Sequence, residues 1–229
     1  MIQEKQFKHL GFITAAIVAT LLISNIAATK LVQIGPIITD GGTLLFPLAY
    51  IFGDVLTEVY GYKASRRVIY TGFFWMLVAA VCFQLVAIAP AAPEYTNQDS
   101  FVAILGQTPR ILIASLMAYF AGEFTNSYIL AKMKVWMQGR TLWTRTIGST
   151  IAGQAVDTAL FTLIAFAGIF TAGTLWSTFI SGYVLKVSIE ALFTPITYQI
   201  VNWLKREEGV DVYDRDTNFN PFALKELFD

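Results

Sequence analysis

The chain has 229 residues, of which 55% are hydrophobic, 14% aromatic and only 14% charged, and its formal net charge is zero. Soluble proteins carry about 25% charged residues, so this composition places the chain in a lipid bilayer, and the absence of a basic surplus argues against nucleic acid as a partner. A single cysteine, Cys82, sits inside an apolar run and excludes a disulfide framework.

A helix needs roughly 20 mostly apolar residues to cross the bilayer core. Six runs meet that requirement and predict an all-α bundle of six transmembrane helices, because lipid offers backbone polar groups no outside partner. In chain order the spans are Leu10 to Thr29, Leu44 to Tyr60, Val68 to Ala89, Arg110 to Lys132, Thr146 to Phe170 and Trp176 to Trp203. Lys5 and Lys8 ahead of the first run also fit a cleaved signal peptide with Ala27 and Ala28 near the cut, but the run exceeds the usual signal core. The second span is the shortest. The sixth is long and carries Pro195, which predicts a kink or a tilt.

Between spans three and four, residues 90–109 form the longest outer connection, with "DSFVAILGQ" expected as a short interfacial helix. Residues 1–204 form the membrane domain and 205–229 a charged, solvated tail, with no internal repeat. With the N-terminus inside, the cytoplasmic segments hold 13 of the 16 Lys and Arg residues, leaving Lys30 and Arg110 outside and Lys186 within a span. Both termini are therefore expected to be cytoplasmic.

Five acids fall within the spans: Asp54, Glu58, Glu123, Asp157 and Glu190. Each costs roughly 2.5 to 3.5 kcal/mol on insertion scales, so intramembrane acids usually face a bundle interior or a watery cavity. At 1.5 Å rise per residue, Asp54, Glu123, Asp157, Lys186 and Glu190 lie roughly 15 to 21 Å from the span ends, near the middle of a core about 30 Å thick. That convergence describes a midplane transporter site.

Spacing groups the polar residues by face. Phe46, Tyr50, Asp54 and Glu58 recur every four positions; Tyr119, Glu123 and Asn126 share a face of the fourth span; Gly153, Gln154, Asp157 and Phe161 share one of the fifth. In the sixth, Tyr183, Lys186 and Glu190 align, and the last two can pair at i, i+4. Ser24 and Asn25 lie nearer the outer end of the first span. Plainer roles exist for several of these: Ser24, Asn25, Gln84 and Asn126 as interhelical hydrogen-bond glue, Glu58 as a partner of Lys63 or Arg66, "GYKASRR" as a topology-setting turn, and the aromatics as packing. Asp54 and Asp157 resist such readings, having no basic residue one turn away in their own helices. Full ionisation would leave five negatives and one positive in low dielectric, which predicts a cationic substrate or protonated acids.

Other classes fit less well. The lone His9 lies at the cytoplasmic edge, so a Ser/His hydrolase or a His-rich metal centre is not expected. Gly53–Asp54 is only a fragment of an intramembrane aspartyl protease signature. No cofactor is expected, and homodimerisation stays open.

The stretches "FPLAYIFGDVLTEVYGYKASRRVI", "SLMAYFAGE", "AGQAVDTALFTLIAF", "YVLKVSIEALFTPI" and the closing "DVYDRDTNFNPF" resemble the queuosine precursor transporter family, also called vitamin uptake transporters. The resemblance covers nearly the whole chain. It implies a bacterial inner-membrane importer, not an enzyme, of 7-cyano- and 7-aminomethyl-7-deazaguanine for tRNA queuosine salvage, and it carries Asp54, Asp157 and Lys186 over as family landmarks. The roles of Glu58, Glu123 and Glu190 are not carried over. A guanine-like edge presents two parallel donors that one carboxylate accepts together, Asn or Gln amides or Lys186 can serve its acceptors, and Tyr50, Tyr119, Phe161 or Tyr183 can face the ring. An alternative within transport is the substrate-capturing subunit of an energy-coupling-factor system, docking through Ala15 and Ala19 on the first span.

Overall fold

A computed structural model describes residues 7–34, 37–106 and 109–223. Among them the chain forms α1 (Leu10–Ala27), β1 (Leu31–Ile34), β2 (Ile37–Asp40), α2 (Phe46–Ile88), α3 (Gln98–Leu105), α4 (Pro109–Trp136), α5 (Leu142–Phe166) and α6 (Ala172–Glu208). Five helical stretches among the described residues are long and apolar enough to cross a membrane. Exposed Phe12, Phe74, Leu85, Ile88 and Leu192 on the outer faces suit lipid rather than water.

Helices α1, α4 and α5 lie close to the expected spans, and α3 falls on "DSFVAILGQ" as expected. The fifth span stops at Phe166, four residues early, before Gly168 at φ 80°. The antiparallel hairpin β1–β2 has no counterpart among the predicted elements. Its segments LVQI and IITD are rich in β-branched residues and too short to span, so strand propensity decides there.

The second and third spans, expected as separate helices joined by a basic turn, are two helices that meet directly at Gly61, where φ is 83° and ψ 174°, within a 43-residue stretch, so the turn is one residue and not seven. A side chain at Gly61 would be strained by that backbone, and its Cβ would lie 2.6 Å from Val212 Cγ1. The basic residues after it belong to the second arm: Lys63 and Arg67 are exposed, but Arg66 is fully buried and donates to the Asn218 and Asn220 carbonyls at 3.2 and 3.0 Å. The "turn" is thus a structural seat for the chain's C-terminal segment.

That segment is not the solvated tail expected from its charge. The Val212 amide donates to the Val59 carbonyl at 3.3 Å, the Tyr62 amide to Asp214 Oδ2 at 3.0 Å, and the Tyr62 and Tyr70 hydroxyls to the carbonyls of Phe219 and Pro221. The first two bonds satisfy backbone groups released at the Gly61 break and the two tyrosine hydroxyls satisfy carbonyls of the segment itself, which explains why a polar segment docks. Helix α6 also outruns its expected end at Trp203, reaching Glu208 with Pro195 inside it, and at 37 residues it is about 55 Å long. Glu208 caps α1 from a distance, accepting from the Lys8 and His9 amides at 3.0 and 2.7 Å and from the Tyr60 hydroxyl at 2.9 Å.

Lipid supplies no hydrophobic drive between helices, so close backbone approach and interhelical hydrogen bonds carry the packing. The stripe Ile13, Ile17 and Leu21 of α1 packs into Ile51, Val55, Val59 and Met76 of α2. Helices α4 and α5 meet at Gly122 and Gly153, where added Cβ atoms would lie 2.7 Å from Asp157 Cβ and 2.8 Å from Asn126 Cβ. Gly153→Leu is expected to force the pair apart and destabilise the protein by about 1–3 kcal/mol, outweighing the roughly 1 kcal/mol that losing a helical Gly returns. Gly173→Leu, at a site with open space, serves as the control in detergent melting.

Candidate functional site

Asp54 sits on the first arm of α2, 2% exposed, and its Oδ1 accepts from Asn126 Nδ2 of α4 at 3.0 Å. One residue earlier, Gly53 leaves room for Glu123 of α4, whose Oε2 lies 3.1 Å from where a Gly53 Cβ would stand. One turn toward the Gly61 break, Thr57 Oγ1 bonds Ser65 Oγ at 2.7 Å and donates to Ser127 Oγ at 3.1 Å, tying both arms of α2 to α4. A void of about 10 Å³, room for roughly one water, is lined by Gly53, Tyr119, Glu123, Ser65 and Ser127.

Helix α5 presents a polar stripe to α6 and α4. Lys186 Nζ of α6 lies 2.5 Å from Asp157 Oδ2 of α5, both about one-fifth exposed. The expected i, i+4 pair of Lys186 with Glu190 is therefore replaced by an interhelical one: the ion pair that Lys186 forms among the described residues is to Asp157. Glu190 is buried and accepts from the Thr150 hydroxyl of α5. Gln154 is buried beside Glu190 and Tyr50, and Tyr50 lies within electrostatic reach of Asp157, Glu190 and Glu123.

The structure thus gathers Tyr50, Asp54, Glu123, Asn126, Gln154, Asp157, Lys186 and Glu190 from four helices into one polar seam. Three predicted residues stand apart from it. Asn25 donates to the Leu21 carbonyl at 2.9 Å and lines a different void of about 50 Å³ with Met76, Gln84 and Leu112. Tyr183 donates to the Ile151 carbonyl at 3.2 Å and stacks on Phe179, and Phe161 meets Phe166 edge-on at 5.8 Å.

Glu58 belongs to a second centre. Its Oε1 accepts from Arg145 of α5 at 2.8 Å and Lys205 of α6 at 2.7 Å, with Lys134 of α4 at 3.6 Å. Lys134 also donates to the Glu58 carbonyl and to Asp211, and Lys205 lies 2.8 Å from Asp211. This corrects the pairing of Glu58 with Lys63 or Arg66, and it corrects the charge balance: the seam holds four acids against Lys186, while Glu58 is neutralised elsewhere. Partial burial pushes the Asp211 carboxyl up, but hydrogen bonds from Lys134 and Lys205 outweigh it and hold the group below the usual carboxylate range.

Several buried atoms of the seam have no partner: Asn126 Oδ1, Gln154 Oε1, Thr158 Oγ1 and Glu190 Oε2. Unmet acceptors at membrane depth are expensive, so a seam that keeps them is prepared for a donor-bearing ligand or for water. Thr150 and Thr158 were not singled out in the sequence, although their helical spacing with Gln154 was a signal for them.

A sequence-family profile described as "Putative vitamin uptake transporter" matches residues 40–200, a stretch that runs from the end of the hairpin to near the end of α6. The chain is 27% identical to the "Probable queuosine precursor transporter" of Bacillus subtilis (strain 168) over 203 residues, 88% of this chain and 86% of that one. It is 25% identical to the "Queuosine precursor transporter" of Escherichia coli (strain K12) over 164 residues, 72% of each chain. A Haemophilus influenzae protein also called "Probable queuosine precursor transporter" is 25% identical over 125 residues, covering 55% of this chain and 51% of that one. No solved structure matches. Apolar helices around a seam of paired and unpaired acids agree with that match, and the chain, a multi-pass membrane protein, belongs to the vitamin uptake transporter family.

Proposed function

We propose that this chain imports 7-deazaguanine precursors of queuosine, the 7-cyano or 7-aminomethyl base, across the bacterial inner membrane for tRNA queuosine salvage. The observation that supports the reading is that Asp54 and Asp157, on different helices, both lie within electrostatic reach of Glu123, together with the names of the relatives. In this reading one of the two carboxylates accepts both donors of the guanine-like edge, and Tyr50 covers the ring. In this reading the two arms of α2 cross separately, six crossings leave both termini on one side, and the Lys and Arg excess of the loops there makes that side the cytoplasm, with the Glu58 cluster and the docked tail closing the seam. Alternating access then requires those contacts to part.

Asp54→Asn keeps an acceptor for Asn126 and removes the charge, so it tests binding rather than folding. Uptake of labelled precursor by cells lacking their own synthesis is expected to fall about 10- to 100-fold, the value of one to two charge-assisted hydrogen bonds at about 1.4 kcal/mol per decade. Undiminished uptake in both Asp54→Asn and Asp157→Asn would remove the assignment.

A second reading has one observation in its favour. Ala15 and Ala19 lie exposed on α1, a small-residue face through which an energy-coupling partner could dock. Uptake by the purified chain alone in liposomes would exclude that reading.

A further inference from the structure

We propose that Glu190 and Gln154 form a subsite for an ammonium group, so that the chain prefers the cationic aminomethyl base over the neutral cyano base. The inference rests on the substrate class proposed above and goes beyond it, since that reading leaves the choice between the two forms open. Glu190 is 6% and Gln154 4% exposed. Thr150 donates to one oxygen of Glu190 and Gln154 lies within hydrogen-bonding reach of the same carboxyl, while Glu190 Oε2 and Gln154 Oε1 have no hydrogen-bond partner among the described residues.

Two features of the seam select the same kind of ligand. The first is charge: among the described residues Lys186 is the base beside Asp54, Glu123, Asp157 and Glu190, and it is engaged by Asp157, so each of the other acids that ionises lacks a counter-charge that a cationic ligand would supply. The second is hydrogen-bond polarity. Asn126 Oδ1, Gln154 Oε1 and Glu190 Oε2 are all acceptors, and the Thr158 hydroxyl can turn either way. A protonated amine brings three donors and a positive charge, so it relieves two orphaned acceptors and part of the negative surplus together. A nitrile brings an acceptor alone and leaves both deficits standing; buried acceptors left unmet discriminate more sharply than a missing attraction does.

The test is thermal-shift titration of the purified full chain in detergent with each base at pH 7. The aminomethyl base is expected to bind at least about tenfold more tightly than the cyano base, one charge-assisted contact in size. Glu190→Gln should bring the ratio to within about twofold, with the larger loss in aminomethyl binding. Gln154→Met, similar in volume and without the acceptor, should erode the same ratio and serves if Glu190→Gln does not fold. Equal or tighter binding of the cyano base, or a parallel loss of both bases in either variant, overturns the subsite and leaves the transport reading standing. Absence of any shift with either base overturns both.

Discussion

Glu58→Ala is expected to destabilise the protein by about 3–5 kcal/mol, because it leaves Arg145, Lys134 and Lys205 at a buried or half-buried site with Asp211 as the remaining counter-charge. The carboxylate is wholly buried and joins α2 to α4, α5 and α6, so its loss cuts three interhelical links at once. Glu58→Gln removes the charge and keeps a carbonyl acceptor, and should cost less. Asp211 differs in kind: its side chain is 42% exposed, and removing it leaves Glu58 in place. Its depressed pKa makes its contribution fully present above the ordinary carboxylate range, lost only as the pH falls through a value below that range. Throughout and above the ordinary carboxylate range Asp211 is therefore expected to stay charged and paired with Lys134 and Lys205. Melting in detergent measures the loss, and limited proteolysis within the segment 210–222 reports whether the docked tail is released with it. A Glu58→Ala protein that melts like wild type and protects its tail would show that the cluster does not close the bundle.

How far the sequence was legible depended on whether a property was local. Hydropathy placed α1, α4 and α5 within a few residues, since length and apolarity alone decide a span. The four-residue recurrence of Tyr50 and Asp54, and the clustering of Gln154 with Asp157, predict shared faces, and in the structure these side chains lie near one another and Glu123. Partner choice was not local. Glu58 was read against Lys63 and Arg66 because those are near in sequence, whereas Arg145 and Lys205 reach it from helices far along the chain. The second span is expected to end at Tyr60, one residue before the break at Gly61; what escapes is that the next helix starts at once instead of at Val68. Nothing in "GYKASRR" shows that Val212 and Asp214 will fill the space beside that glycine, so a longer turn is expected than the single non-helical residue that separates the two helices. The C-terminal segment looked solvated because its charges were counted without the backbone groups that needed them.

Lys186→Met is expected to reduce uptake about 10- to 100-fold, and the more informative result lies in what restores stability afterwards. Removing the lysine strands Asp157 at membrane depth beside Glu123, and Tyr50 offers it no charge. Because both partners are about one-fifth exposed, the cost should fall short of that for a fully buried pair. Asp157→Asn combined with Lys186→Met removes both charges, so it should recover most of the lost stability, with a coupling of about 0.5–3 kcal/mol, but none of the lost transport. The same cycle with Glu190→Gln in place of Asp157→Asn discriminates the interhelical pairing from the i, i+4 alternative. In the observed arrangement Lys186 couples more strongly to Asp157 on the facing helix, since Glu190 is bonded to Thr150. A larger coupling to Glu190 would mean that the pair across α5 and α6 is not the one that holds the seam, and Asp157 would then be left as an isolated acid free to take part in binding alone.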